Sequence, residues 1–320
     1  MLRLLLSGFL ALVATAPLGA QTFPNRTIQL VVPFAAGGPT DVLGRIAARR
    51  MGQELGQTII VENVGGAGGA IGVQRVQRAP ADGYTLVLGN IGTHTALQAL
   101  TTPPPYDAET DFQPVGLIAT NPLVLVVRPG LANDLGGLLQ YLRASGSRAT
   151  FASAGVGASS HLGGLLFLTL SQTMAEHIPY RGTAPALADI AAGRVDFLFD
   201  QTVNVIGQVQ GGAVTALGVS TRTRSPALPM VPSMIEAGMP GFETAVWNAI
   251  FAPRGTPMPV VERLAQALSI ALDDPQVRER LIELGGELPG PAERGPAALQ
   301  RLVQSEVARW TPILRTAAGN

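Results

Sequence analysis

Two glycine turns, each followed by small hydroxyl residues, are the parts of this chain best suited to hold an anion. The first occupies residues 34–41, with the sequence Phe-Ala-Ala-Gly-Gly-Pro-Thr-Asp, and the second occupies residues 154–161, with the sequence Ala-Gly-Val-Gly-Ala-Ser-Ser-His. Glycine lets a backbone turn tightly and approach a ligand, and free N–H groups at the start of a helix favour negative charge. The first turn has no lysine, so it does not fit a P-loop.

Each glycine turn lies between a predicted strand and a predicted helix. Residues 28–32 and 150–154 are short apolar runs typical of buried strands. A helix is expected at 42–51, with Thr40 or Asp41 as its N-cap, and another after 154–161, ending near residue 169. Strand–loop–helix patterns recur at 58–77 and from residue 85 onward, so we expect parallel strands with right-handed crossovers. Ligands of such sheets bind at the carboxyl ends of the strands.

The order of the predicted elements divides the chain into two α/β lobes. Two separate strands are expected at 115–120 and 123–127, and a second set of strands and helices follows them. After a proline-rich stretch at 226–240 and a strand at 242–251, three amphipathic helices are expected to return to the first lobe. We therefore predict lobe 1 from residues 21–120 plus 224–320 and lobe 2 from residues 121–223. The chain crossings, near 118–124 and 220–226, would be hinges beside an interlobe cleft.

The amino terminus and the composition predict an exported, soluble protein. Residues 1–20 contain an early arginine, an apolar stretch and small residues before Ala20, as in a cleaved signal peptide; cleavage after Ala16 is an alternative. The absence of cysteine excludes disulfides, thiolate metal sites and a lipid anchor. With 22 basic and 22 acidic residues the formal net charge is zero, so we expect no nucleic-acid partner and no binding to an anionic membrane. We also expect a monomer without a cofactor.

Several other polar residues are candidates for the cleft, and each has a structural alternative. Asn90 and Thr93 follow a predicted strand and could donate to a carboxylate. Asp200 also follows a strand, and could accept from a ligand ammonium or hydroxyl or cap the next helix. Arg181 could pair with a ligand anion or form a salt bridge.

The three histidines do not predict a metal site. His94 and His161 each lie in a first helical turn after a glycine loop and are candidate donors, whereas His177 is expected to be an ordinary strand residue. No two of them have i,i+2 or i,i+4 spacing, so a metal site has no local support. The glycine run at 65–72 does not complete the dinucleotide-binding pattern G-x-G-x-x-G, because Ile71 occupies the third position.

An exported serine hydrolase using Ser159 or Ser160 is an alternative from a different class. The nucleophile elbow requires G-x-S-x-G, but residues 157–161 end in histidine and residues 151–155 begin with phenylalanine. The only acid before a suitable histidine is Glu176, directly next to His177. We therefore expect no catalytic residues.

The chain resembles the substrate-binding proteins of tripartite tricarboxylate transporters, the Bug receptor family. The resemblance rests on residues 23–41, on Val-Glu-Asn at 61–63 with the glycines at 65–69, on Ile-Pro-Tyr-Arg-Gly at 178–182, and on Ala-Pro-Arg-Gly-Thr-Pro at 252–257. Each match is weak by itself, but their order along residues 24–318 is specific. One position departs from the pattern, because Gln201 follows Asp200 where relatives often have Asn or Ser. The far end of the ligand is therefore expected to be recognised differently in this chain.

The resemblance implies a two-lobed α/β periplasmic binding protein, with mainly parallel sheets, whose cleft closes on a small carboxylate. It further implies delivery of a di- or tricarboxylate, an acidic amino acid or an aromatic acid to a membrane permease of the tripartite tricarboxylate transporter type. A ligand sensor for a regulatory membrane protein is the alternative. Backbone N–H groups and hydroxyls of the two turns would hold the carboxylate. The implied binding residues are Phe34, Ala36, Gly37, Gly38, Thr40, Asp41, Asn90, Thr93, Ala154, Gly155, Gly157, Ala158, Ser159, Ser160, His161 and Asp200.

Overall fold

A computed structural model describes residues 23–317, and the predicted signal peptide at 1–20 lies outside them. The strands are β1 (Ile28–Val32), β2 (Ile59–Asn63), β3 (Thr85–Asn90), β4 (Phe112–Val127), β5 (Thr150–Ser153), β6 (Glu176–Pro179), β7 (Phe197–Gln201), β8 (Thr215–Val219) and β9 (Ala245–Pro253). The α-helices are α1 (Pro39–Leu55), α2 (Ala70–Gln77), α3 (Leu97–Leu100), α4 (Leu135–Ser145), α5 (Ser159–Ser171), α6 (Thr183–Ala191), α7 (Thr202–Gln210), α8 (Met258–Asp273), α9 (Pro275–Glu283) and α10 (Pro296–Ala317). No helix within residues 23–317 is long and apolar enough to cross a membrane.

The strands form one continuous mixed sheet in the order β2-β1-β3-β9-β4-β7-β5-β6, with β8 also paired to β4. The predicted parallel pairing is present on both flanks, where β1 pairs with β2 and β3, and β5 pairs with β6 and β7. The central strands β4 and β9 are antiparallel to their neighbours. The α/β fold class is therefore as predicted, with antiparallel strands added where the lobes meet.

Strand β4 runs through both lobes. Its first part, from Phe112 to Pro122, pairs with β9, and its second part, from Leu123 to Val127, pairs with β7 and β8. The prediction of two separate strands was wrong here. Pro122 lies between the two predicted strands and cannot donate to a ladder, but it lies where β4 changes partners, so the strand continues without its N–H.

The last three helices pack on the first lobe, as the amphipathic pattern predicted. Leu264 and Leu268 of α8 and Leu281 of α9 are buried in one apolar cluster with residues of β1, β3 and α1. Trp310 and Leu314 of α10 belong to a second cluster, which also contains residues of β3 and β9. These contacts hold α1 firmly behind the first glycine turn.

The first helix begins three residues earlier than predicted, at Pro39 instead of Val42. Gly38 is the N-cap and Pro39 is the first helical residue of α1, so the prediction of Thr40 or Asp41 as the N-cap was wrong. Proline fits this position because its fixed φ is helical and its missing N–H would have been unpaired in any case. Thr40 and Asp41 consequently lie inside the first turn, and their side chains are free for other partners.

The second chain crossing lies after the proline-rich stretch. Leu228 and Val231 pack in one apolar cluster with Val124 of β4, and the Met234 N–H donates to the Val219 carbonyl at 2.8 Å. The chain then enters β9 at Ala245, opposite Pro122. We therefore propose that lobe 2 extends from residue 121 to residue 244, later than the predicted limit of 223, with the described residues 23–120 and 245–317 in lobe 1.

One carboxylate joins four elements of the second lobe at the end far from the cleft. Asp196 Oδ1 accepts from Arg128 Nε at 2.8 Å, and Oδ2 accepts from the Thr150 N–H at 2.9 Å and the Tyr141 hydroxyl at 3.1 Å. Asp196 is buried, with 7% exposure. It therefore fixes the starts of β5 and β7 relative to α4.

We predict that Asp196→Asn lowers the free energy of unfolding by about 2–4 kcal/mol, because it leaves buried donors without a charged acceptor. Chemical denaturation measures the change. The control is Glu243→Gln, which removes an exposed ion pair to Arg222 and should cost at most about 0.5 kcal/mol. Equal losses in the two variants would contradict this interpretation of Asp196.

Candidate functional site

The two lobes meet at the carboxyl ends of the parallel strands, and their backbones are in direct contact. The Ala35 N–H of lobe 1 donates to the Arg181 carbonyl of lobe 2 at 3.0 Å. A Cβ on Gly182 would lie 2.8 Å from the Ala35 nitrogen, and a Cβ on Gly68 would lie 1.9 Å from the Val156 carbonyl oxygen. Only glycine permits such close approach. The structure therefore has a closed cleft, with both predicted turns on its walls.

The carboxylate of Asp41 is buried, and it holds the first turn in shape. Asp41 Oδ2 accepts from the Gly37 N–H at 3.0 Å, and Gly37 has a φ of +80°. Asn63 Nδ2 donates to Asp41 Oδ1 at 2.9 Å and to the Phe34 carbonyl at 3.1 Å. Burial alone would raise the pKa of Asp41, but hydrogen bonds from Arg45, Gly37 and Asn63 hold it below its ordinary value. Asp41 is thus an ionised anchor of the turn.

The second turn is held by three side chains of its own lobe. The Ala154 N–H donates to Ser160 Oγ at 2.9 Å, the Gly155 N–H to Ser153 Oγ at 3.0 Å, and the Gly157 N–H to His161 Nδ1 at 3.3 Å. Burial and the neighbouring His177 lower the pKa of His161 to about 3, so the ring is neutral and can accept this bond. His161 was predicted as a ligand donor, but the structure assigns its Nδ1 to the turn.

Asn90 and Thr93 form a third loop, at the end of β3. Asn90 Oδ1 accepts from the N–H groups of Gly92 at 2.9 Å and Thr93 at 3.2 Å, and the Asn90 N–H donates to Thr93 Oγ1 at 3.0 Å. A Cβ on Gly92 would lie 2.5 Å from the Ser159 nitrogen, so this loop touches the second turn directly. The loop that contains Asn90 and Thr93 therefore lies against the second turn, and their contact with a ligand stays a prediction.

His94 does not face the cleft, although it was a candidate donor. Its ring stacks on Phe251 at a centroid distance of 4.0 Å and lies near Phe112 and Tyr106. Complete burial lowers its pKa to about 3. It lies in a π-helical turn, Gly92–Ala96, whose side chains are all buried.

Asp200 is buried beside the start of α7. Its Oδ1 accepts from the Gln201 N–H at 2.8 Å, and its Oδ2 accepts from Asn204 Nδ2. Burial raises its pKa to about 7, although the hydrogen bonds from Asn204, Gln201 and Thr183 act to lower it. Both oxygens are engaged by protein donors, but neither accepts from an N–H of the first turn of α7, so Asp200 does not cap that helix as the structural alternative proposed.

Four helices begin at the cleft without a side-chain cap. The N-caps of α1, α5, α6 and α7 are Gly38, Ala158, Gly182 and Gln201, and none of them caps its helix through a side chain. Of the helices that begin away from the cleft, α4 and α9 are capped by Asp134 and Asp274, whereas α8 begins after Pro257 without a side-chain cap. Uncapped N–H groups and the positive end of the helix dipole attract anions. The cleft therefore offers concentrated positive potential without a charged side chain.

Two hydroxyls are available to a bound molecule. Thr40 Oγ1 and Ser159 Oγ have no hydrogen-bond partner among residues 23–317, and they lie in the first turns of α1 and α5 at exposures of 2% and 7%. Phe34, Ala154 and Ala158 form a small apolar cluster across the same contact between lobes, whereas Ala36 is exposed. The predicted residues thus divide into those that hold the turns and those that can contact a ligand.

The arrangement does not support the hydrolase alternative. The pair that comes together is Ser153 with His177, at 2.6 Å, but Ser153 is completely buried. Within residues 23–317 no carboxylate hydrogen-bonds to either His161 or His177. A nucleophile needs both an oriented base and access to substrate, so this pair supports the turn.

The sequence did not single out Asn248, and within residues 23–317 Arg181 does not form the salt bridge that was one alternative for it. Asn248 is completely buried in β9 and donates to Gln201 Oε1 at 2.8 Å; the one signal for it was a single polar residue within an apolar strand. Arg181 contributes its carbonyl to the contact between lobes, and its guanidinium has no hydrogen bond or ion pair within the described part of the chain.

Comparison with known proteins places these observations in context. Residues 43–318 match the model of the tripartite tricarboxylate transporter family receptor. The malate-bound structure of MatC from Rhodopseudomonas palustris is 41% identical, with a TM-score of 0.89 over 91% of this chain and 100% of that one. The periplasmic binding protein BugD is 39% identical, with a TM-score of 0.88 over 92% and 98%. An R. palustris protein solved with adipate is 36% identical, with a TM-score of 0.87 over 93% and 98%.

We predict that Ser160→Ala loosens the second turn, because the Ala154 N–H loses its acceptor. A lost hydrogen bond of about 1 kcal/mol corresponds to roughly fivefold faster exchange of that amide. Hydrogen–deuterium exchange measures this directly. The control is Ser171→Ala at the other end of α5, where the hydroxyl donates to the Phe167 carbonyl, and which should leave residues 154–158 unchanged. Unchanged exchange in the Ser160 variant would refute the assigned role.

We also predict that Asp200 makes the protein less stable as the pH rises. The unfolded aspartate titrates near 3.9 and the folded one near 7. Between these values the folded state binds more protons, so the stability from this group is lost as the pH rises. Asp200→Asn should remove about 2–3 kcal/mol of stability difference between pH 5 and pH 8.

Denaturation of both proteins at the two pH values tests the Asp200 prediction. The three histidines have lowered pKa values and act in the opposite direction, with stability gained as the pH rises. Their contribution is common to both proteins and cancels in the difference. Identical pH profiles for the two proteins would show that Asp200 is ionised throughout.

Proposed function

Because the chain belongs to the tripartite tricarboxylate transporter receptor family, we propose that it captures a small carboxylate by closure of its lobes and delivers it to a membrane permease of that transporter type. The family membership agrees with the resemblance found in the sequence. The family and its close structural neighbours bind solutes, and the chain is accordingly a receptor and not an enzyme.

The observation that carries the proposal is the apolar cluster of Phe34, Ala154 and Ala158, which brings the uncapped starts of α1 and α5 together from opposite lobes. The start of α1 offers Thr40 Oγ1 and its first N–H groups, and the start of α5 offers Ser159 Oγ and its own. Both hydroxyls lack a protein partner within residues 23–317. A carboxylate accepts several hydrogen bonds at once, so one carboxylate between these helices would satisfy donors of both lobes.

Binding at this place would couple occupancy to closure. A ligand that contacts both lobes binds the closed state more tightly than the open one, and so shifts the population towards closure. The interlobe bond from Ala35 to Arg181 forms only when the turns are close. We propose that the permease recognises this closed form.

We propose a periplasmic location for the mature receptor, with residues 1–20 removed on export. The BugD structure is of a periplasmic binding protein. Its relatives were solved with malate and with adipate, so dicarboxylates are the first ligands to examine for this chain.

We predict that malate, succinate or adipate raises the melting temperature of the mature protein. A ligand at about 100 times its dissociation constant adds about 2.7 kcal/mol, which corresponds to a shift of several degrees. Thermal-shift screening followed by calorimetry measures it. If no small carboxylate stabilises the protein, the proposed function is refuted.

Variants of the two free hydroxyls locate the site. Thr40→Val and Ser159→Ala should each weaken binding about 5- to 30-fold, because each removes a hydrogen bond to a charged group. Ser171→Ala, in the same helix as Ser159 but at its far end, should bind like the wild type. Binding unaffected by both cleft variants would place the ligand elsewhere.

A further inference from the structure

Three amide side chains meet where β3, β7 and β9 converge beneath the cleft. They are Asn90, Gln201 and Asn248, with exposures of 1%, 2% and 0%; we call them the floor amides. Asn90 and Asn248 are direct partners in the antiparallel pairing of β3 with β9, so their side chains lie on the same face of the sheet. Asn248 Nδ2 reaches Gln201 Oε1 at 2.8 Å. The three side chains therefore form one connected group.

Hydrogen bonds fix the orientation of all three amides. Asn248 Nδ2 donates to Gln201 Oε1 and to the Val246 carbonyl at 3.1 Å, two atoms that can only accept. Gln201 must then present its Nε2 on its other side. Asn90 Oδ1 accepts from two backbone N–H groups of its loop, so its Nδ2 also points away from them.

The two remaining amide nitrogens have nothing to donate to. Among residues 23–317, neither Gln201 Nε2 nor Asn90 Nδ2 has a hydrogen-bond partner. Among the same residues, Asn248 Oδ1 is unpaired and fully enclosed by protein atoms. The two amide nitrogens are unpaired there but are not fully enclosed, so each borders open space. Buried amide donors are almost always paired in proteins. Asn90 Nδ2 and Gln201 Nε2 are therefore two unpaired donors on either side of Asn248, and together they suit an oxygen acceptor.

We propose that Gln201, held in place by Asn248, recognises the end of the ligand farther from the glycine turns, together with Asn90. This subsite presents N–H donors and selects a second carboxylate, because a charged acceptor binds N–H groups more strongly than a neutral ester does; an ammonium group, which only donates, does not fit it. The inference rests on the proposed function, since it assumes that the first carboxylate binds between α1 and α5. Asn248 acts as a positioning residue, because it touches Gln201 rather than the ligand.

Two substitutions separate recognition from folding. Gln201→Glu keeps an oxygen that accepts from Asn248, but replaces the free NH₂ group by a carboxylate oxygen that repels an anion. Gln201→Met keeps the length of the side chain and removes its donors. The control is Gln208→Glu, the same chemical change at an exposed position of α7.

Calorimetry with succinate and with its monomethyl ester measures the effect on the mature protein. We expect Gln201→Glu to weaken succinate binding at least 100-fold and Gln201→Met at least 10-fold. Binding of the monomethyl ester should change less than threefold in Gln201→Met, and Gln208→Glu should match the wild type for both ligands. Melting curves verify that each variant is folded.

The outcomes distinguish this inference from the proposed function. If both ligands weaken equally in folded Gln201 variants, or if neither changes, Gln201 does not recognise the ligand and the inference is wrong, although the receptor function stands. If the wild type binds the monomethyl ester as tightly as succinate, the inference is also wrong. If no carboxylate binds the wild type, both the inference and the proposed function fail.

Discussion

The contact between the two backbones across the cleft determines how this receptor can work. Helix starts from different lobes can face one small molecule only if their turns approach within hydrogen-bond distance, as Ala35 and Arg181 do. Side chains at the contact would prevent this approach, and Gly65, Gly68 and Gly182 have none. The side chains that shape the turns are therefore placed behind them. Asp41 and Ser160 bond to the turn N–H groups from inside their own lobes.

The same constraint bears on how the proposed site would attract an anion without arginine. The charged Arg45 is engaged by Asp41 behind the first turn. The attraction would come from N–H groups at the starts of α1 and α5, which have no side-chain caps. Closure removes water, and electrostatic interactions are stronger in a medium of lower dielectric constant.

The sequence was informative wherever a local pattern was sufficient. The strand–glycine–helix units predicted the two turns and the lobe architecture, and the amphipathic helices at the end of the chain pack as expected. Long-range pairing was not predictable, because Pro122 reads as a strand end until its partners in β9 are known. Nor could the roles of Asp41 and Ser160 be assigned, because whether a side chain holds a turn or contacts a ligand depends on which N–H lies within reach. Gln201 stood out only as a departure from the family pattern.

The two lobes share one hydrophobic core, which is built around strand β4. The apolar cluster that includes Phe112 and Phe251 of lobe 1 also includes Leu123 and Phe199 of lobe 2. Lobes that share a core in this way lose their packing together, so heat or denaturant should melt the protein in one cooperative transition. A ligand held at the cleft then protects every part of the chain at once. Occupancy would thereby influence how long the receptor survives among proteases, since these cleave chains that have opened.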